Sequence, residues 1–502
     1  MKPELPFNSI RTITLLAAIV LVMANATAQN GTLDLTFSGD GQYGFMPQVP
    51  DVITFDILET GGKIFPILSA VNGNSSSFIM KLNNDGSLAT GFGVGGVLEF
   101  PNITFYDAAL SHDETRIFIL ASAVGAYQIC SIDLNGVVIT PWSTVPAPYC
   151  PGFGKMLVDA QGRICIGKGA TINGATYGQV IRLNEDFSAD STFGTDGVAY
   201  TPAAPFQYPL TEIDGLGRIV LAHSGAGIWR FNADGSMDAS FNYTLDLSQF
   251  SLPNWILDIA IAQDNSIYIQ PNTYALPSDL FKVQENGSLD ATFATGGHMT
   301  LSDPDPLQFT APDELLIEPN GGLIVLASAF DASSNMSGKF LTRLDEFGSI
   351  DTTFHPGIQA IDDNGYDLRI NFHCATLQHD GKVLSMDQVV KWQSGTLLGY
   401  APLITRFNNE KGAVTASVND AGPRVDQAFV YPNPTNGPLV LRAPGNGTWQ
   451  RATIVITNAA GDVIMQESLL NDRIDLTSLS SGIYFCSVKH AGGTVHARIV
   501  KE

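Results

Sequence analysis

An eight-residue phrase, Asn286-Gly287-Ser288-Leu289-Asp290-Ala291-Thr292-Phe293, returns in altered spellings along most of this chain, and that recurrence limits its fold more than any other feature. Kindred segments are Asp85-Gly86-Ser87-Leu88, Asp234-Gly235-Ser236-Met237-Asp238-Ala239-Ser240-Phe241 and Gly348-Ser349-Ile350-Asp351-Thr352-Thr353-Phe354. Each follows a short apolar segment that opens on a basic residue, as in Lys81-Leu82-Asn83, Arg230-Phe231-Asn232, Lys282-Val283-Gln284 and Arg343-Leu344-Asp345. A chain of 502 residues exceeds what one hydrophobic core holds unless that core is divided among repeats.

From residue 51 to residue 414 every unit reads alike: an apolar strand, a tight turn, a second strand, a longer connection, the strand opening on the basic residue, the signature turn and a fourth short strand. The tight turn occurs seven times, at Gly61-Gly62-Lys63, Glu114-Thr115-Arg116, Gln161-Gly162-Arg163, Leu216-Gly217-Arg218, Asp264-Asn265-Ser266, Asn320-Gly321-Gly322 and Asp380-Gly381-Lys382. No helical hydrophobic period competes with this pattern. Four-stranded units repeated radially predict an all-β, seven-bladed β-propeller. The seventh unit carries Arg406-Phe407-Asn408-Asn409-Glu410-Lys411-Gly412 and then lacks the signature phrase and a fourth strand, and its missing half stands near the other end of the chain, where Asn30-Gly31-Thr32-Leu33-Asp34-Leu35-Thr36-Phe37 precedes Gln42-Tyr43-Gly44-Phe45. The expectation is a ring closed by its N-terminal strand.

On these residues the units resemble the delta-60 repeats of bacterial secreted and surface proteins, most clearly at Asp290-Ala291-Thr292-Phe293, Asp190-Ser191-Thr192-Phe193 and Asp351-Thr352-Thr353-Phe354. That family supplies no activity to carry over. After a polar linker at 416–427, a second module opens on Tyr431-Pro432-Asn433-Pro434-Thr435-Asn436-Gly437 and continues through turns at Gly461 and Gly482-Ile483-Tyr484. Its six strands, expected to alternate apolar and polar residues, predict a small C-terminal β-sandwich. Residues 428–502 resemble the type A C-terminal sorting domain of the type IX secretion system, through Tyr431, Pro432, Asn433, Pro434, Gly437, Gly461, Gly482 and Tyr484. The resemblance implies the type IX secretion machinery as a partner, passage from the periplasm across the outer membrane, removal of this domain, and release or attachment at the cell surface. Residues 1–28 read as a signal peptide, with Lys2 and Arg11 ahead of the apolar run 13–23 and cleavage between Ala28 and Gln29. No later stretch reaches the ~20 apolar residues that span a bilayer, so no membrane span is expected after signal removal. The expected organisation is therefore signal peptide 1–28, propeller 29–415, linker 416–427 and sorting domain 428–502.

A formal charge of −23 makes nucleic acid an unfavourable partner. Cys130, Cys150, Cys165, Cys374 and Cys486 form no Cys-x-x-Cys pair, which argues against zinc; Cys165 and Cys486 read as core residues, and one bridge among Cys130, Cys150 and Cys165 stays open. Gly91-Phe92-Gly93-Val94-Gly95-Gly96 spells a dinucleotide fingerprint but precedes a strand, where pyrophosphate binding needs a helix N-terminus. No His-Glu-x-x-His and no Gly-x-Ser-x-Gly accompanies the histidines or serines. The recurrent Asp reads as an acceptor of backbone N–H bonds in its turn rather than a calcium ligand, and the loop acids of Asp303-Pro304-Asp305 and Asp362-Asp363-Asn364 fall short of a calcium shell. No cofactor is expected.

In an antiparallel blade the first and third connections share one side, and the second connection and inter-blade link share the other. Here the repeated turns occupy the first side and the variable loops the second. Trp142, Tyr149, Tyr177, His223, Trp255, Tyr274, Asp331, Asp362, Asp363 and Trp392 fall in or beside the variable loops and form the candidate binding face. Aromatic rings with a few polar groups suit an extracellular glycan, a peptide or a protein surface. The expected role is a non-catalytic interaction module. A secreted glycan hydrolase or lyase using acidic and His residues brought together only in the fold, and a structural adhesion component, are the alternatives.

Overall fold

The computed structural model describes residues 30–44, 52–70, 76–123, 126–145, 154–204, 210–223, 227–250, 252, 255–271, 278–301, 308–331, 336–352, 354, 359–360, 367–393 and 396–409, and then 429–431, 438–442, 452–458, 463–469, 473–480, 482–490 and 493–501. The chain divides into two compact units, Met1–Thr415 and Ala416–Glu502.

The first unit is all-β and propeller-type. Among the described residues its strands form seven antiparallel sheets taken in chain order. Their first strands are Val52–Thr60, Thr104–Leu110, Lys155–Val158, Leu210–Ile213, Ile256–Ile261, Gln308–Ile317 and Asp367–Leu377. Each first strand packs against the next, and the seventh packs against the first. The seventh sheet is completed from the other end of the unit: Gln42–Gly44 pairs with Thr396–Phe407 through Gln42↔Thr405, Tyr43↔Ile404 and Gly44↔Leu403.

Alternation along the strands feeds two apolar layers at once. On Lys63–Ala70, Ile64 and Leu68 enter the layer shared with the seventh sheet, beside Leu384, Met386 and Ile404. Phe65 and Ile67 enter the layer shared with the second sheet, beside Ile117, Ile119 and Cys130. Further layers join the second sheet to the third, and so on to the seventh. Cys130, Cys165, Cys374 and Cys486 are buried free thiols, and Cys150 lies outside the described residues.

The signature phrase builds a latch between sheets. Asp190 caps its own turn by accepting from the Thr192 amide at 2.9 Å and its hydroxyl at 2.6 Å. Its other oxygen accepts from Arg182 Nε at 2.8 Å, and the Arg182 guanidinium stacks 4.3 Å from the Phe193 ring centroid. Arg182 Nη1 then donates to the Ala233 carbonyl of the fourth sheet at 2.7 Å. Arg230 repeats this with Asp238, Phe241 and the Glu285 carbonyl, and Lys282 reaches the Glu346 carbonyl. At the seventh sheet Arg406 takes Asp34 and Phe37 from the N-terminal segment and reaches Asn84 of the first sheet. The second sheet departs from the pattern: Ser131 stands in the basic position, and the ion pair to the third sheet runs from Arg116 to Glu185.

In the second unit, strands Phe429–Tyr431, Pro438–Arg442 and Arg473–Asp475 form one sheet. Val463–Leu469, Ala452–Asn458, Gly482–His490 and Gly493–Lys501 form another, in that order. Leu439 and Ile474 of the first meet Ile454, Ile456, Cys486 and Val488 of the second in one apolar cluster.

Candidate functional site

The candidate face is described in part. Trp142, half-buried on the outer strand Val138–Thr144, meets Phe100 edge-on at 6.2 Å. Tyr177 lies on Ala175–Leu183, with its ring 6.2 Å from Tyr200. Trp255 precedes the first strand of the fifth sheet and is 37% exposed. His223 ends Ile219–His223, pairs in register with Gly227 and is 2% exposed; burial pushes its pKa down to about 4, so it is a neutral imidazole at physiological pH. Asp331 and Trp392 sit at strand ends, opposite Met336 and Asp367 respectively. Tyr149, Tyr274, Asp362 and Asp363 lie outside the described residues, as do Ala28 and Gln29.

Of the sorting-motif positions, Tyr431 pairs with Val440, Gly482 opens its strand, and the Tyr484 hydroxyl donates to the Ser480 carbonyl at 3.0 Å. Pro432, Asn433, Pro434, Gly437 and Gly461 lie outside the described residues.

The chemistry that sequence reasoning missed lies on the first strands. Each carries at least one ionisable residue, among them Asp56, Asp107, Lys155, Glu212, Asp258, Glu314 and His373. Five of them directly follow a register shift, at Thr54/Asp56, Phe105/Asp107, Ile256/Asp258, Pro312/Glu314 and Asn371/His373. A bulge of this kind re-aims the side chain that follows it. Two carboxylates bolt neighbouring first strands together: Asp107 Oδ2 accepts from the Met156 amide at 2.5 Å, and Asp258 Oδ2 from the Leu315 amide at 2.8 Å.

The first six of these groups feel one another. Burial pushes Asp107 up to about 7, opposed by Lys155 and reinforced by Asp56. Burial likewise takes Glu212 to about 7 against the pull of Lys155, and Asp258 to about 7 against two backbone donors. Glu314 is raised by burial and by Asp258, whereas Asp56 and Asp107 hold the Lys155 ammonium charged. Accessible surface leaves all but Asp107 half-buried, so water reaches the space they share; the depth of surrounding protein supplies the desolvation. Chemically the array offers several carboxylic acids protonated near neutrality around one ammonium, and its protons belong to the group rather than to single residues. Among the described residues no three His, Cys, Asp or Glu side chains are arranged to hold a metal ion. The sequence signal was present as an ionisable residue at or just ahead of the apolar run in each unit's first strand, but its identity changes from Asp to Lys to Glu to His.

Residues 429–502 match the family described as a secretion system C-terminal sorting domain, and residues 223–241 match a domain of unknown function described as a DUF5122 beta-propeller. No curated protein matches the sequence. Among solved structures, the β-propeller domain of the trilobed protease from Pyrococcus furiosus, described as having an open velcro topology, is 10% identical, with 70% of this chain and 97% of that one covered and a TM-score of 0.41. Prolyl oligopeptidase B from Galerina marginata is 12% identical, with 68% of this chain covered, only 46% of that one, and a TM-score of 0.39. PorZ of Porphyromonas gingivalis, described as an essential bacterial surface component of the type-IX secretion system, is 11% identical, with 92% and 100% covered and a TM-score of 0.23.

Proposed function

We propose, from the premise that this chain carries a secretion system C-terminal sorting domain and a DUF5122 β-propeller segment, that it is an extracellular recognition module. The sorting domain marks it for export by type IX secretion to the cell surface or the extracellular space. The module is read as a seven-bladed ring spanning 29–415, closed by Gln42–Gly44, after a signal peptide at 1–28 and before a linker at 416–427 and a C-terminal sandwich at 428–502. Supporting closure are the first-strand packing from the seventh sheet to the first, the pairing of Gln42–Gly44 with Thr396–Phe407, and the reach of Arg406 to Asp34 and Asn84.

The observation that carries the recognition reading is a division between two sets of connections. The first and third turns repeat the same hydrogen bonds sheet after sheet, as in Gly162 N to Asp159 O and Gly217 N to Asp214 O, both at 2.9 Å. The second connections and inter-sheet links vary in length and sequence, which is where binding surfaces on a rigid scaffold are placed. The ligand class is a glycan, a peptide or a surface protein. Saturable binding of the exported protein on a glycan array, lost on Trp255→Ala and Trp142→Ala, supports the reading; no binding on glycan, peptide and protein arrays moves the assignment to a structural adhesion component.

One observation favours a second reading, a glycan hydrolase or lyase: Glu212 and Asp258, both raised to about 7, are poised as general acids. Turnover of a bound glycan that is lost in Glu212→Gln would select that reading.

A further inference from the structure

The seven first turns form an internal series, and the sixth breaks it. In the third sheet the turn ends in Arg163, whose Nε meets Asp159 Oδ2 at 2.6 Å and whose Nη1 lies 3.7 Å from the signature acid Asp190. In the fourth, Arg218 meets Asp214 at 2.6 Å and lies 3.8 Å from Asp238. Lys382 of the seventh sheet contacts Asp34 at 2.5 Å, and Lys63 of the first donates to Asn83. In the sixth sheet the same position is Gly322.

Both acids that an arginine bridges elsewhere are kept there. Glu318 matches Asp159 and Asp214, since its amide donates to the Gly322 carbonyl at 2.8 Å as theirs do to Arg163 and Arg218. Asp351 matches Asp190 and Asp238, its amide donating to the Arg343 carbonyl at 2.8 Å. The fifth sheet also lacks the cation, having Ser266, but Ala262 replaces the turn acid, so no carboxylate is stranded.

Where the arginine would lie, the sixth sheet has a cavity of about 460 Å³, lined by Glu318, Gly322, Arg343, Asp345 and Asp351. Phe347 and Ile350 stand at its rim, 56% and 45% exposed. The Glu318 side chain is 1% exposed. Its Oε1 accepts from Asn409 Nδ2 at 2.9 Å and lies 3.8 Å from Arg343 Nη1, while Oε2 sits 2.5 Å from the point a Cβ on Gly322 would occupy. The local cation, Arg343, is already engaged with Asp351 at 2.7 Å and Asn409 at 2.7 Å. Glu318 and Asp351 thus share the single Arg343, where the matching acids of the third and fourth sheets have two arginines, and a second charge-assisted donor offsets the surplus negative charge.

We propose that this cavity binds a guanidinium group, an arginine side chain presented by a peptide or protein, in the place that the scaffold's own arginines take in the third and fourth sheets. The guanidinium meets Glu318 Oε2 and approaches Asp351, while its methylenes lie against Phe347 and Ile350. The volume is too large for a bare cation and suits a long side chain. The site lies on the side of the repeated turns, so it stands independently of the variable-loop reading.

The test is calorimetric titration of the full exported chain with Nα-acetyl-L-arginine methylamide, alongside its citrulline and lysine counterparts. The expected result is saturable binding of the arginine probe with a Kd of about 1 mM or tighter, and about tenfold or more weaker binding of both counterparts. Glu318→Gln keeps an acceptor for Asn409 but removes the charge, and is expected to weaken the arginine probe about tenfold. Gly322→Arg, which restores the residue found in the third and fourth sheets, is expected to abolish binding and raise the Tm. Equal binding of citrulline or lysine, full binding in Gly322→Arg or Glu318→Gln, or no saturation by about 50 mM, some fifty times the expected Kd, overturns the proposal. Glu318→Gln decides alone should Gly322→Arg fail to fold.

Discussion

Phe293 shows what the repeated phrase demands of one side chain. It is fully buried, its ring 5.5 Å from Tyr268 and edge-on to it, in the layer between the fifth and sixth sheets. Phe293→Ala removes that wedge and leaves a cavity, at a cost of about 3–5 kcal/mol, read as a lower urea midpoint. Gly235 is held as tightly for a different reason: at φ +82°, a Cβ there would lie 2.4 Å from the Gly194 amide nitrogen of the neighbouring sheet. Gly235→Ala should cost about 1–3 kcal/mol, through strain and forced separation of two sheets, and lower the Tm. Residues of this kind were legible because backbone geometry and packing repeat wherever the phrase repeats. The ionisable first-strand residues were not, because a bulge sets their height and any charged type serves. His223 stands beside a variable loop in the sequence, and its strand buries it.

At the scale of the element, the strand Gln42–Gly44 and its latch hold the seventh sheet together. Burial alone would raise the Asp34 carboxyl, but donors from Lys382 and Thr36, and the Arg406 charge, override it and hold the pKa at about 2. Because the folded value lies below the ordinary one, this contribution is fully present above about pH 4 and is lost as pH falls toward 2. Asp34→Asn leaves Arg406, itself 2% exposed, without its counter-charge and should cost about 3–5 kcal/mol at neutral pH. The check is denaturant unfolding at pH 7 and pH 2.5, where the difference between the variant and the parent should narrow at the lower value. The incomplete seventh unit announced this pairing in the sequence, since Leu33-Asp34-Leu35-Thr36-Phe37 is the phrase that unit lacks. The partners of the loop aromatics were not announced, because rings such as Trp142 and Tyr177 are placed by contacts with Phe100 and Tyr200 that no local pattern encodes.

Across the whole molecule, the first-strand acids give stability an unusual pH dependence. Asp107, Glu212 and Asp258 keep protons up to about pH 7 when folded, whereas the unfolded chain releases them near ~4. The folded state therefore binds more protons across that window, and rising pH removes stability. The Tm should fall between about pH 4 and 7, and Glu212→Gln with Asp258→Asn should flatten the slope in a thermal-shift series. The pairing of Gln42–Gly44 with Thr396–Phe407 has a temporal consequence as well. During synthesis the early strand must wait for a partner made some three hundred and fifty residues later. A contact so distant in sequence is slow to form. The sorting segment at 429–502 follows that partner in the chain, so a product that ends before residue 396 lacks both the strand that holds Gln42–Gly44 and its address for export.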